Sequence, residues 1–259
     1  MKKVLVTGTT GFIGLHCVQQ LLEKGFAVNG TLRSFDRKDE VINALSSHNT
    51  STEHLSLFET DLLEDKGWDE AIEGCDYVLH VASPFVITPQ SEDFFVKPAV
   101  EGSLRVLKLA NNNHIKKVVL TSSFAAMADT LEEKESFDES DWSDPNKAGI
   151  RSYGKSKTLA EKAAWDFMSS DNPSFTLTVI NPVAVTGPSL SKDIGTSNSI
   201  ISQMIDGSIP GTSKVHIGYV DVRDVAAATS LTSTYPCLLY TSDAADDLLC
   251  VDLGGRRII

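Results

Sequence analysis

Tyr153 and Lys157 stand four residues apart in RSYGKSKTLAEKAAW, a spacing that puts both side chains on one face of a helix. A free phenol titrates near pH 10, too high for proton exchange at neutral pH. An ammonium one turn away, joined by the positive charge of an oxidised hydride acceptor, favours the phenolate and is expected to lower that value. A tyrosine tuned in this way serves as general acid toward a carbonyl oxygen that is gaining negative charge. Ser122 and Ser123 end the apolar run VVLTSS, at a strand end where a hydroxyl can hold the same oxygen. Each signal is weak by itself. A strand-end serine is usually a turn residue, and a Tyr-x-x-x-Lys spacing arises readily by chance.

A second constellation opens the chain. VLVTGTTGFIG places Gly8, Gly11 and Gly14 between an apolar strand and a helix. Such a turn needs one glycine for its tightness, one for close approach of backbone N–H groups to pyrophosphate, and one for packing helix on strand. The phosphates then rest on the positive helix N-terminus. The strand-turn-helix context gives this spacing its weight, and it points to a bound dinucleotide. The next strand ends in TLRSFDR, where dinucleotide folds carry an acid for a ribose 2′-OH or an arginine for a 2′-phosphate. Arg33 holds that position with Ser34 and Arg37 close by, and no acid precedes Asp36. A guanidinium offers paired donors to phosphate, so the cofactor expected is NADP(H). Asp61 and Leu62 follow the third strand and are expected near the adenine. A hydride donor beside a proton-donating tyrosine is the requirement for interconverting a carbonyl and an alcohol.

The elements that must position these groups alternate regularly. Strands are expected at Val4–Thr7, Ala27–Leu32, Leu55–Glu59, Tyr77–Val81, Val118–Thr121 and Thr176–Ile180. Helices are expected at Phe12–Glu23, Asp36–Leu45, Trp68–Glu73, Phe94–Asn111, Tyr153–Met168 and Ser199–Ile205. Nearly all-apolar strands imply a sheet covered on both faces. The fold class is therefore α/β, a doubly wound parallel sheet of Rossmann type. Leu131–Lys147 reads as an acidic loop before the Tyr153 helix, and Gly211–Leu231 as a further αβ segment.

Hydrophobic content of 41% and charged content of 22% are those of an ordinary globular chain. The net charge of −12 argues against nucleic-acid and anionic-membrane partners, which need clustered Lys and Arg. No apolar run is long enough to span a bilayer, and the N-terminus lacks a secretory h-region, so a cytoplasmic location is expected. Cys17, Cys75, Cys237 and Cys250 show no zinc spacing, and no metal is expected. Cys17 and Cys75 read as buried thiols.

The final stretch departs from the pattern. From Cys237 the chain reads CLLYTSDAADDLLCVDLGGRRII, which resembles a translated sequencing adapter and no protein family. Its four Asp and two Arg do not change the sign of the net charge. Residues 1–236 are thus expected to form an NADP-binding domain, with substrate-lobe segments at about 183–220, and residues 237–259 a non-native tail.

Taken together, VTGTTGFIG, HVASP (His80–Pro84), TSS (Thr121–Ser123), FDESDWSD (Phe137–Asp144), YGKSKTLAEKAAW (Tyr153–Trp165), NPVAVTGP (Asn181–Pro188) and DVRDVA (Asp221–Ala226) resemble the extended branch of the short-chain dehydrogenase/reductase superfamily. Within it, the likeness is to the group of dihydroflavonol reductases, cinnamoyl-CoA reductases and aldehyde or ketone reductases. The resemblance implies Tyr153 as acid/base, Lys157 on the nicotinamide ribose and Ser123 on the substrate carbonyl. It implies Gly8, Gly11, Phe12, Ile13 and Gly14 around the pyrophosphate. Val81, Ala82 and Ser83 would line the cofactor, Pro182 and Val183 would flank the nicotinamide, and His80 and Asp221 would be structural. The substrate implied is a small carbonyl compound, and the assembly a monomer or homodimer. Two departures bear on substrate. Ala128 stands where plant flavonoid reductases carry Asn, and Arg151-Ser152-Tyr153 lacks the Trp- and Cys-containing version found in cinnamoyl-CoA reductases. The family's chain also continues past Pro236, so a truncated C-terminal lobe is expected. A sugar-nucleotide epimerase or dehydratase using NAD, and a non-catalytic nucleotide sensor, are the alternatives on the same fold.

Overall fold

The computed structural model describes residues 1–84, 91–130, 134, 136–171, 173–209, 211, 217–234 and 256–258. Short runs of Val, Leu and Ile become strands, and the amphipathic segments between them become crossover helices. The first half runs β1 (Lys3–Thr7), α1 (Phe12–Glu23), β2 (Ala27–Leu32), a 3-10 turn (Phe35–Arg37), α2 (Lys38–Ser47), β3 (Leu55–Glu59), α3 (Trp68–Ile72) and β4 (Tyr77–His80). There follow α4 (Glu92–Asn112), β5 (Lys117–Thr121), α5 (Ala125–Ala128), α6 (Ser152–Asp171) and β6 (Thr176–Ile180). The rest comprises β7 (Ala184–Thr186), α7 (Thr196–Ile205), β8 (Tyr219–Asp221), α8 (Val222–Thr234) and β9 (Arg256–Ile258).

The main sheet has the order β3-β2-β1-β4-β5-β6-β9, and every pairing in it is parallel. Its alternating side chains feed two cores. Leu5, Val78, Val118, Leu120, Leu177 and Val179 face Trp68, Val106, Ala110 and Phe167 on one side. Val4, Val6, Leu79 and Val119 face Leu15, Val18, Leu21, Val41 and Ala226 on the other. Each fully buried aliphatic side chain contributes about 1.5–3 kcal/mol. A parallel ladder also aligns strand ends. Thr7 pairs with His80, His80 with Leu120 and Thr121 with Ile180, so the glycine turn, Val81, Ser122 and Asn181 emerge along one edge. β7 and β8 form a separate parallel pair that begins the small lobe.

The expected strands are all present, within a residue at each end. β4 stops at His80 instead of Val81 because the Val81 amide turns to the Thr7 hydroxyl (3.0 Å). α2 begins at Lys38, two residues later than expected, because Ser34 accepts a bond from the Asp36 amide (3.2 Å) and caps a tight turn first. α4 begins earlier, at Glu92, because Ser91 caps it through the Phe94 amide (3.3 Å). α7 likewise starts at Thr196, ahead of the expected Ser199. The expected αβ segment supplies β8 and α8. Residues 237–255, with Cys237 and Cys250, lie outside the described residues. Arg256–Ile258 pair with Thr178–Ile180 of β6; an open sheet edge accepts a strand through main-chain bonds whatever its side chains.

Candidate active site

Gly8 takes φ +73°, a left-handed conformation that only glycine adopts without strain, and Gly11 N–H donates to its carbonyl (3.0 Å). A Cβ on Gly14 would collide with the Gly8 carbonyl oxygen, and one on Gly8 would lie 3.0 Å from Ala82 Cα. The turn thus closes against α1 and against the segment after β4. Among the described residues no side chain caps the first turn of α1, so the N–H groups of Phe12, Ile13 and Gly14 form the cradle that an anion requires.

Thr7 fixes the second wall. Its hydroxyl oxygen accepts bonds from the amides of Val81 and Ala82, both at 3.0 Å, and meets His80 Nδ1 at 2.9 Å. With two amides donating to that oxygen, its own proton goes to Nδ1, which puts the imidazole proton on Nε2. Burial, with the Lys157 charge acting in the same direction, brings His80 down to about 3. A neutral imidazole of fixed tautomer accords with the structural role expected of it. The next hydroxyl, Ser83 Oγ, is buried and has no hydrogen-bond partner among the described residues.

Arg33 extends from the end of β2 with 77% of its side chain exposed, and its Nε lies 3.6 Å from Asp61. Asp61 also accepts from the Leu63 amide (2.8 Å). Arg33 and Asp61 are therefore neighbours. Arg37 reaches back to the glycine turn, donating to Thr10 Oγ1 (3.0 Å), while Glu40 takes its Nε at 2.8 Å; much of its charge is spent there. Ser34 is engaged as a cap. Leu62 packs its side chain toward Gly102 of α4, and its carbonyl accepts from Arg105.

The third wall carries the titratable groups. Ser122 and Ser123 diverge: Ser122 is buried and donates to Glu161 (2.6 Å), whereas the Ser123 hydroxyl hydrogen-bonds the Tyr153 phenol. Lys157 is 7% exposed, donates to the Thr121 carbonyl (3.3 Å) and lies 5.8 Å from the centre of the Tyr153 ring. Burial lowers it to about 8, against the opposing pull of Glu161. Tyr153 corrects an expectation. Its pKa is raised, not lowered, because burial outweighs the Ser123 hydrogen bond and the Arg151 charge. The lysine one turn away is itself desolvated and does not reverse that. Asp129, whose side chain is 2% exposed, pairs with Arg151 beside the start of α6. Pro182 accepts from the Phe124 amide (2.9 Å), and Val183 packs beside Gly218 of the small lobe.

Sequence reasoning missed Thr7, Asn181 and Glu161. Glu161 had a usable signal, because Tyr153, Lys157 and Glu161 repeat at four-residue spacing on one helix face. Cys17 and Cys75 are buried free thiols, each pushed up to about 12 by burial, and hence inert.

The strand order and the edge at which these groups gather define a Rossmann-type fold of the extended short-chain dehydrogenase/reductase kind. The chain belongs to the NAD dependent epimerase/dehydratase family, whose model matches residues 4–236. It is 37% identical over 253 residues to cinnamoyl-CoA reductase 1 of Petunia hybrida, spanning 96% of this chain and 72% of that one. Among solved structures it is similar to yeast methylglyoxal/isovaleraldehyde reductase Gre2 complexed with NADPH (TM-score 0.77, 30% identity, 88% of this chain and 72% of that one). It is also similar to vestitone reductase from alfalfa, Medicago sativa (TM-score 0.74, 28% identity, 100% and 76%). Among the described residues, no helix is long and apolar enough to cross a membrane.

Proposed function

We propose that this chain is an NADP(H)-dependent reductase of a small aldehyde or ketone. The observation that carries the reading is the Ser123–Tyr153 hydrogen bond above a buried Lys157, at the carboxyl edge of the sheet. The residues present fit the dinucleotide. Gly8, Gly11, Phe12, Ile13 and Gly14 form a cradle whose tight closure a Cβ at position 14 would break by meeting the Gly8 carbonyl oxygen, and the buried Ser83 hydroxyl has no partner among the described residues. Val81, Ala82 and Ser83 would line the cofactor, and Pro182 and Val183 the nicotinamide end. Asp61 and Leu62 would meet the adenine, and Arg33, Ser34 and Arg37 the 2′-phosphate. Relatives described as NADPH-bound reductases support the choice of cofactor.

When bound, the reduced cofactor supplies a hydride to the carbonyl carbon. The chain's own groups handle the oxygen. Ser123 Oγ and Tyr153 Oη converge on it as donors, and Tyr153 gives up the proton that completes the alcohol. A raised phenol pKa keeps Tyr153 protonated at neutral pH, the state an acid must hold at the start of a reduction. Lys157 stays close enough, as an ammonium, to stabilise the phenolate left behind.

On this reading residues 1–236 are the NADP-binding domain, with lobe segments at about 183–220, and the family match ends at the same residue. Residues 237–259 stand outside it. The protein would act in the cytoplasm as a monomer or homodimer.

Carbonyl-dependent oxidation of NADPH, followed at its absorbance across a panel of aldehydes and ketones, tests the reading. Tyr153→Phe should cut kcat by about 10²–10⁴-fold with NADPH binding retained. A Tyr153→Phe protein that reduces carbonyls at the unsubstituted rate would end it.

A further inference from the structure

We propose that Glu161 is a positioning residue for this reaction: its carboxylate ties the ends of β5 and β6 to α6 and thereby sets the Ser123 main chain and the Lys157 side chain in place. The inference rests on the functional reading above. Glu161 is 0% exposed. Its Oε2 accepts from Ser122 Oγ at 2.6 Å and from Asn181 Nδ2 at 2.7 Å. The same Asn181 amide donates to the Ser123 carbonyl at 3.1 Å. Main-chain bonds from Ser122 to Ile180 (2.8 Å) and from Phe124 to Pro182 (2.9 Å) complete the join. One carboxylate oxygen therefore holds both strand ends, and a single amide connects it to the residue that meets Tyr153.

A packing role does not account for this choice. Leu or Met would fill a helix position against the sheet without the cost of desolvating a charge. A carboxylate one helical turn from Lys157 does two things that neither can. It orders two polar strand ends, and it favours the ammonium form of a buried amine. The other groups that meet Lys157 are neutral: His80 from β4, Tyr153 on its own helix and the Thr121 carbonyl from β5. Glu161 thus supplies the negative charge in this set.

Glu161→Gln, which keeps shape and hydrogen-bonding capacity, separates the charge from the fit. In the full chain, kcat for carbonyl reduction is expected to fall about tenfold, with KM and NADPH affinity within about threefold. The loss of activity at high pH should begin at lower pH, because Lys157 gives up its proton more easily. In the cofactor-free protein, the pH dependence of Lys157 labelling by an amine-reactive reagent, read by mass spectrometry, should move the same way. A residue that only filled space would leave both pH dependences unmoved. Ser122→Ala provides the second arm. It cuts one tie while keeping the charge, and should lower kcat by about threefold, with the double variant showing both losses because Gln retains the tie that Ser122→Ala removes. Unchanged kcat and pH dependence in Glu161→Gln, beside an inactive Tyr153→Phe, overturn this inference and leave the functional reading standing. Should Glu161→Gln not fold, an unchanged kcat in folded Ser122→Ala overturns it equally. A fully active Tyr153→Phe overturns both.

Discussion

Lys157 illustrates how a residue's neighbours in space, and not its neighbours in sequence, decide its chemistry. Burial brings its ammonium down to about 8, so it is charged at neutral pH and loses the proton in mildly alkaline solution. Since the ammonium is the form that stabilises a phenolate, kcat for reduction should hold below that pH and decline as pH rises through it. A profile of kcat against pH that stays flat to pH 10 would contradict this. Arg33 gives a second residue-scale expectation. Arg33→Ala should weaken NADPH binding about 10–100-fold, the value of a charge-assisted contact, and NADH binding much less. Equal losses for both cofactors, measured by fluorescence titration, would remove the assignment. Tyr153, Lys157 and the Ser pair were legible because their spacing encodes the geometry. Thr7, Asn181 and Glu161 were not. Thr7 acts on His80, Val81 and Ala82 more than 70 residues away, and Glu161 on Ser122 and Asn181, 39 and 20 residues away; only the folded sheet brings such partners together. The sign of the Tyr153 shift was missed for the same reason. Local spacing reveals a nearby charge but says nothing of how much water reaches the phenol.

The turn between β1 and α1 shows the same division at the level of elements. Three glycines in strand-turn-helix context announce a cradle, and the structure assigns them separate tasks: Gly8 the left-handed turn, Gly14 the close approach to it. Gly14→Ala must push the turn and α1 apart, an overpacking cost of about 1–3 kcal/mol, and should abolish NADPH binding before it unfolds the protein. Gly211→Ala, where an added Cβ meets none of the described residues, is the control; thermal unfolding and cofactor titration of the pair decide the matter. Long periodic elements were read to within a few residues. The four-residue α5 and the three-residue β7 were not, because so few residues carry no measurable period. Their existence is imposed by packing, with β7 held by its pairing to β8.

At the scale of the molecule, two cores share one sheet, and α8 from the far end of the chain contributes Ala226 to the core built by α1 and β1. The small lobe is pinned to the same region: His16 Nε2–H donates to the Pro188 carbonyl (2.9 Å) and Gln20 to the Arg223 carbonyl (2.8 Å). Unfolding should therefore be a single transition, and Leu79→Ala, with Leu79 fully buried, should cost about 2–5 kcal/mol and move the whole of it. Two resolved calorimetric transitions would show that lobe and sheet are independent.

The one-way direction of the strands also divides the labour of the surface. Lys3, Tyr77 and Lys117 begin neighbouring strands at the end opposite the candidate site, away from Ser123, Tyr153 and Lys157. An experimenter wishing to tether, tag or fuse this protein has a whole pole to rewrite with the chemistry left facing outward. By the same logic, inherited variation can accumulate at that pole without altering the reaction at the other.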